Sequence, residues 1–224
     1  MATLAAILDE LEAFYGRPPR PALRDPYLLI LHRLSGYPQS DTNCDRGYAA
    51  LKAEVGTAPE AIFGAPQAQL AAALRAGGIL PELRAERLRE VAARVHRDFG
   101  GTLKPLLKQP VKAAVKVLQS FPTLGAAGAE KILLFNGIPV AAVPSNCPHV
   151  PLRLGFGSGG SHWAAGYKSA QNAIQRGLPG DAAGQLRAYL LFKRHGQELC
   201  KANRPLCAAC PLRAACRYYA SSVA

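Results

Sequence analysis

Apolar residues recur along most of this chain at intervals of three and four positions, the spacing of one face of an α-helix. The first such stretch runs from Thr3 to Tyr15 and is followed by a segment rich in Gly and Pro, which predicts an N-terminal helix and then a linker. Its apolar positions are Leu4, Ile7, Leu8, Leu11 and Phe14.

Helix-start residues stand ahead of several later apolar runs. Asp25-Pro26 and Ser40-Asp41 are typical helix N-termini, and Asp181 is placed to cap a helix near the C-terminal end. Beyond the first helix, the pattern predicts helices over 27–34, 42–55, 58–63, 66–75, 84–99, 112–120, 129–135, 163–175 and 186–195.

Strand signals are missing from the sequence. No stretch alternates apolar and polar residues between hairpin-type turns, so we predict an all-α fold. The segment from Pro144 to His162 is too rich in Pro, Gly and Ser for an assignment.

Charge points to a polyanionic partner. The chain has 27 Lys and Arg against 15 Asp and Glu, a net charge of +12 and a sequence pI near 9.7. Nucleic acid is the foremost candidate, although charge alone does not separate DNA from RNA. No apolar run approaches the roughly 20 residues of a membrane span, and the acid-containing start is unlike a signal peptide, so we expect a cytoplasmic protein with no membrane partner.

Cysteine spacing suggests a metal site. Two of the six cysteines are isolated, and the other four follow a C-x6-C-x2-C-x5-C pattern near the C-terminus, which is a poor distribution for disulfides. Four thiolates on short loops can reach one tetrahedral centre or a cubane, so either iron–sulfur or zinc is possible from the spacing alone. The isolated pair is Cys44 and Cys147, and the clustered set is Cys200, Cys207, Cys210 and Cys216.

The residues around these cysteines carry a family resemblance. The segment from His195 to Cys200, the six-residue gap and Cys207-Ala-Ala-Cys210-Pro are similar to the cluster loop of the endonuclease III family of DNA glycosylases. The resemblance extends from about Arg24 to Arg217 and implies a [4Fe–4S] cluster on the four cysteines.

The basic residues of the cluster loop gain a role from the same resemblance. In the family the loop is a structural and DNA-docking element, so its cations are expected to contact phosphates. Solvated surface charge is the alternative for each of them. They are Lys201, Arg204, Arg213 and Arg217.

The resemblance also implies an architecture. We expect a two-lobed helix–hairpin–helix glycosylase fold, with one helical domain over 24–139 and a second lobe of 1–23 plus 140–224 that carries the cluster. A basic cleft between the lobes would receive duplex DNA, and the protein is expected to be a monomer.

Two segments resemble the family's DNA-inserting loops. The segment from Leu34 to Asp41 is similar to the one whose Gln fills the gap left by a flipped nucleotide, with one residue inserted, so Gln39 is a candidate wedge. Gly78-Ile79-Leu80 resembles the second loop and makes Leu80 the apolar wedge, whereas an ordinary packed loop Leu is the alternative.

The hairpin turn of the family has a counterpart at Phe121 to Gly125. Such a turn directs backbone N–H groups at a phosphate, which requires close approach and explains its glycines. Thr123 stands where the first Gly is expected and Gly125 where the second is. A plain connecting turn is the alternative.

Both catalytic positions of the family are changed. Ala127 replaces the Lys that attacks the sugar, and Pro144 replaces the Asp that stabilises positive charge. Lys131 lies one helical turn from Ala127, about 6 Å away on the same face, and is a substitute nucleophile or else a phosphate-contacting or solvated Lys. Glu130 and Asp181 are unsupported substitutes for the missing acid.

The proline-rich segment offers one further pair. Cys147 and His149 would be a new nucleophile and base, or more simply a packed Cys and a surface His. Pro144, Pro148 and Pro151 are expected to prevent the helix that begins here in the family.

Three functional hypotheses follow. The first is an altered base-excision glycosylase or AP lyase for oxidised pyrimidines or abasic sites in double-stranded DNA. The second is a catalytically inactive protein that binds damaged DNA. The third, a cluster-bearing interaction protein without DNA, is disfavoured by the +12 charge.

Overall fold

A computed structural model describes residues 2–159 and 162–223, and every regular element in these ranges is helical. Gly160 and Ser161 of the unassigned Pro-rich segment lie outside the described residues. The α-helices are α1 (Leu4–Tyr15), α2 (Pro26–Leu34), α3 (Asp41–Glu54), α4 (Pro59–Gly64), α5 (Gln67–Leu74), α6 (Pro81–Phe99), α7 (Val111–Gln119), α8 (Ala126–Phe135), α9 (His149–Arg153), α10 (Trp163–Gly177), α11 (Ala182–Glu198) and α12 (Arg217–Val223). Short 3-10 helices cover Arg75–Gly77, Lys104–Lys108, Cys207–Ala209 and Pro211–Ala215.

The all-α prediction is therefore confirmed, and the helix starts have the expected side-chain caps. Thr3 Oγ1 accepts from the Ala6 amide at 3.2 Å at the start of α1. The Asp25 carboxylate caps α2 and the Ser40 hydroxyl caps α3. These bonds satisfy N–H groups that have no partner inside the helix.

Three helix predictions need correction. α8 begins at Ala126, three residues before the expected start, because the Gly125 carbonyl already accepts from the Ala129 amide at 3.1 Å. α6 begins at Pro81, three residues before the expected start, because Pro suits the first helical position, where no intrahelical N–H bond is lost. The proline-rich segment also forms a helix after all, the five-residue α9. Pro151 is the third residue of α9, within the first turn, so its missing N–H costs no helical hydrogen bond.

The chain divides into two compact units. Unit 2 is the continuous stretch 22–132, and unit 1 combines 1–21 with 133–224. In unit 2, α4 and α5 pack on α6 through buried side chains such as Ile62, Leu70 and Leu88. In unit 1, α1 packs on α11 and inserts the fully buried Ile7, Leu8 and Leu11.

None of the described helices has the length and apolar character required to cross a bilayer.

Candidate functional site

The four clustered cysteines line one cavity in unit 1. Cys200 follows α11, Cys207 begins a 3-10 helix and Cys216 immediately precedes α12. The loop between them is closed by backbone bonds, because the Leu206 amide donates to the Leu199 carbonyl at 2.8 Å and the Cys200 amide to the His195 carbonyl at 2.7 Å. Leucines complete the wall of the cavity, namely Leu154, Leu199 and Leu206.

Burial favours the neutral form of two of the four thiols. Burial raises the pKa of Cys200, and it raises the pKa of Cys210 to about 11. These groups become thiolates at neutral pH when a positive centre compensates for the loss of solvation.

The candidate donor set consists of four cysteine sulfurs. Among the described residues, no group of three or more His, Cys, Asp or Glu side chains is arranged to hold one metal ion. The four sulfurs nevertheless share a cavity. Soft thiolates spaced around such a cavity are the ligands that an iron–sulfur cubane takes.

Arg153 of α9 braces the cysteine loop. Its Nη1 lies 3.5 Å from Cys200 Sγ and donates to the Lys201 carbonyl at 2.8 Å, while Nη2 donates to the Ala202 carbonyl at 2.7 Å. The guanidinium also stacks 4.5 Å from the ring centre of Tyr218. A cation in contact with a ligand sulfur favours the thiolate form.

Cys147 and His149 have separate partners and do not form a nucleophile–base pair in the structure. The Cys147 thiol points at the Lys193 carbonyl at 4.0 Å and is 3% exposed, so it is packed. His149 is half-buried rather than a surface residue, and its Nε2 donates to the Cys200 carbonyl at 2.7 Å. Both side chains therefore join the α9 region to the C-terminal part of unit 1.

His195 connects the cysteine cavity to the N-terminal helix. Its Nδ1 lies 3.0 Å from Tyr15 Oη, and its Nε2 lies 3.6 Å from Cys210 Sγ. Burial lowers the pKa of His195 to about 4, so the ring is neutral and one nitrogen donates while the other accepts. If the Tyr15 hydroxyl donates to Nδ1, then Nε2 carries the proton and donates to the sulfur.

In unit 2, the two candidate wedge loops are neighbours. A Cβ added at Gly78 would lie 3.2 Å from Gln39 Cγ, so the loops touch at this point. Asn43 Nδ2 donates to Gln39 Oε1 at 3.3 Å and orients the amide. Leu80 has a left-handed backbone, φ 55°, and its side chain is 53% exposed.

Exposed apolar side chains concentrate on these loops. Among the described residues, eight large hydrophobic side chains are highly exposed, and four of these belong to the two loops or to the first turn of α6. Such a group on one surface marks a binding site more often than scattered single residues do. The four are Tyr37, Ile79, Leu80 and Leu83.

The candidate hairpin turn is tied to the Gln39 loop by an arginine. Arg33 Nε donates to the Thr123 carbonyl at 3.3 Å, and its guanidinium stacks 4.2 Å from the ring centre of Tyr37. Thr123 has φ 61°, the region in which the family's Gly would be unstrained. Gly125 is exposed and immediately precedes α8, and a helix N-terminus favours an anion.

The altered catalytic positions are buried. Ala127 is 8% exposed on α8, and Pro144 is buried in unit 1. Lys131 is half-buried near Cys44: burial raises the pKa of that thiol, and the Lys131 charge partly opposes the rise. Asp181 accepts from the Gly184 amide at 2.9 Å as the cap of α11, which engages the carboxylate in helix capping.

The cations of the cluster loop are solvent-exposed. Lys201, Arg204, Arg213 and Arg217 all lie on the surface of unit 1. Four further site residues were not predicted from the sequence, because their contacts with backbone carbonyls or with a second side chain arise only in the folded chain. They are Arg33, Arg84, Arg153 and His195.

Comparison with known proteins supports the resemblance to endonuclease III. No protein-family model matches the chain. Two curated proteins named endonuclease III are similar to it: that of Thermotoga maritima is 23% identical over 197 residues, 87% of this chain and 84% of the relative, and that of Bacillus subtilis is 24% identical over 160 residues, 71% and 66% respectively. In sequence, the chain is similar to endonuclease III.

The fold agrees with the sequence similarity to endonuclease III. A solved structure of a non-covalent endonuclease III–DNA complex superposes with a TM-score of 0.77 and 20% identity, covering 100% of this chain and 99% of that one. The prediction of the helix–hairpin–helix glycosylase fold is confirmed.

Proposed function

We propose that this endonuclease III-like protein binds damaged double-stranded DNA and belongs to base-excision repair as a glycosylase or AP lyase with an altered active site. The observation that carries the proposal is the contact between two loops that together expose Gln39, Ile79 and Leu80. A polar and an apolar side chain on adjacent loops suit insertion into the space left by an extruded nucleotide. The relatives named endonuclease III support the same role.

The cysteine cavity supports a [4Fe–4S] cluster as the resident cofactor. Cys200, Cys207, Cys210 and Cys216 would hold it, with Arg153 and His195 directed at two of the sulfurs. A bound cluster would fix the loop between α11 and α12. The exposed Arg204 and Arg213 on that loop would then meet phosphates at defined positions.

The residues of this chain allow two catalytic outcomes. Because position 127 holds no Lys, covalent attack on the sugar would depend on Lys131. If Lys131 does not act as the nucleophile, a water molecule would attack the sugar instead. Pro144 supplies no carboxylate, so either route would be slower than in a chain with that acid. The second candidate function, damage binding without cleavage, is favoured by the burial of both altered positions.

The decisive experiment is a single-turnover incubation of cofactor-loaded protein with labelled duplexes that contain thymine glycol or an abasic site. Samples are read with and without alkali, and with borohydride to trap an imine. An adduct that is lost in Lys131→Ala but retained in Lys116→Ala would establish a relocated lyase. Base release without an adduct would establish a water-using glycosylase.

Tight lesion binding with no product at enzyme excess would establish the damage-binding function. Equal affinity for damaged and intact duplexes, with no product, would overturn the proposal.

A further inference from the structure

Arg84 is a charged side chain in the interior of unit 2. It lies on α6, two turns before the middle of the helix, and is 1% exposed. Burial lowers its pKa, although a guanidinium retains its proton in proteins. A buried cation is stable only when its donors are satisfied, so its partners define what it does.

The Arg84 guanidinium donates to four backbone carbonyls in and beside the two wedge loops. Nε donates to Ile79 O at 2.9 Å, and Nη2 donates to Gly78 O at 2.7 Å, both in the Leu80 loop. Nη1 donates to Ser35 O, at the start of the Gln39 loop. Nη2 also donates to Leu74 O at 2.8 Å, at the end of α5.

Two glycines make the same junction tight. A Cβ added to Gly47 of α3 or to Gly77 would collide with the Ser35 carbonyl oxygen. The Cβ added at Gly47 would also lie 3.0 Å from the Gly77 Cα. Only side-chain-free residues allow the three segments to approach this closely, and the Arg84 fork then fixes them in register.

We propose that Arg84 is a positioning residue that holds the Gln39 loop and the Leu80 loop in one fixed arrangement, so that both wedges enter damaged DNA preformed. This inference rests on the proposed function. The wedge side chains are exposed to solvent, whereas the planar Arg84 guanidinium is buried and donates hydrogen bonds to backbone carbonyls of both loops. Loops ordered before binding do not lose conformational entropy on the DNA.

The test compares Arg84→Lys with Arg89→Lys in the full-length, cofactor-loaded protein. Arg89 lies on the same helix and donates to the Ala65 carbonyl at 2.8 Å, away from the wedge loops, so it is a matched control. Lys keeps the charge but cannot form the fork. The measurements are amide hydrogen exchange of the free protein, and affinity for abasic and intact duplexes over a series of salt concentrations.

In Arg84→Lys, amides at 36–39 and 78–80 should exchange about tenfold faster, the effect of one lost hydrogen bond, while α6 amides are unchanged. The preference for abasic over intact duplex should fall by a similar factor. The salt dependence should stay unchanged, because a 1% exposed side chain releases no counterions from DNA. Arg89→Lys should leave all three properties as they are.

Loop exchange and lesion preference equal to the unsubstituted protein would overturn the inference, as would a reduced salt slope, which would make Arg84 a phosphate contact. If Arg84→Lys does not fold, Gly78→Ala carries the test, because its added Cβ presses on Gln39 and a side chain at φ 101° should displace the Gly78 carbonyl that Arg84 binds. A retained lesion preference in Gly78→Ala then overturns the inference. Absence of lesion preference in the unsubstituted protein refutes the proposed function. Hydrogen exchange then still tests whether Arg84 orders the Gln39 loop and the Leu80 loop.

Discussion

Thr123 has a backbone conformation that few side chains tolerate. Its φ of 61° lies in the left-handed region, and it shares this property with Leu80 as the non-Gly residues of positive φ among those described. Its Oγ1 is buried without a hydrogen-bond partner in the described structure. The candidate hairpin turn thus combines left-handed backbone strain with an unsatisfied hydroxyl at Thr123.

Thr123→Gly should therefore stabilise the protein. Relief of left-handed strain and of the buried hydroxyl outweighs the greater flexibility of Gly in the unfolded chain, and we expect a net gain of about 1 kcal/mol in the free energy of unfolding. Denaturant titration measures it. Thr102→Gly is the control, because Thr102 lacks positive φ and its Oγ1 accepts from the Lys104 amide at 3.2 Å. Equal destabilisation by both changes would contradict the strain argument.

Tyr15 is placed to influence a contact that it does not itself make, the one between His195 Nε2 and Sγ of the candidate ligand Cys210. Burial raises the pKa of Tyr15, so its hydroxyl stays protonated beside His195 Nδ1. In Tyr15→Phe the ring loses this partner, and its donation to Cys210 Sγ weakens. Because bonds to sulfur stabilise the reduced, more negative cluster, the reduction potential should become more negative.

Voltammetry of the loaded protein measures the potential, with Tyr48→Phe in unit 2 as the control. An unchanged potential in Tyr15→Phe, with the visible spectrum intact, would show that the imidazole does not donate to the sulfur.

At the level of elements, the segment between α11 and α12 has little regular structure of its own. Two short 3-10 helices and a few backbone bonds hold it, and its cysteines converge on one cavity. Such a segment depends on cross-links for its order, because it buries few apolar side chains of its own.

Removal of the cofactor should consequently loosen this segment alone. After chelation, trypsin should cut at Lys201 and Arg213, both exposed, at least as early as at any arginine of α6. The loaded protein should resist cleavage at these two sites, and mass spectrometry of the fragments identifies the cuts. If loaded and chelated protein give the same fragments at the same rate, the cysteines do not depend on a cofactor for their order.

The sequence predicted the helices, but it did not predict the side-chain hydrogen bonds that connect one element to another. Helix periodicity and caps such as Asp25 and Ser40 are local, so they are legible in the sequence. Arg84 reads as one more surface cation of an amphipathic helix, because the carbonyls that bind it belong to loops distant in sequence. The prediction that the prolines would prevent a helix was wrong for a different reason. Pro151 interrupts a helix only beyond its first turn, and the sequence did not show that α9 starts at His149.

The cysteine site divides in the same way. Its ligand types and spacing were evident from the sequence, whereas the contacts of Arg153 and His195 with the sulfurs arise only when α9, α11 and the loop are folded together.

For the whole molecule, a net charge of +12 favours any polyanion, and the question is which cations act locally. Replacing Lys201, Arg204 and Arg213 by Gln should lower the slope of log K against log salt by about 3 if each neutralises one phosphate. The charge-matched control replaces the exposed Lys108, Lys112 and Lys116. Equal loss in both triple variants would mean that overall charge, and not the cluster loop, sets the slope.

The division of the chain into a continuous unit and one assembled from distant segments has a consequence for biosynthesis. Residues 22–132 leave the ribosome as a complete folding unit, whereas α1 must wait for α11, about 170 residues later, before its apolar face is covered. The wedge loops can therefore take up their arrangement while synthesis continues, and the cysteine cavity closes only when Cys216 has emerged. Insertion of the proposed cofactor would then be a late event, on a chain whose proposed DNA-inserting unit is already folded.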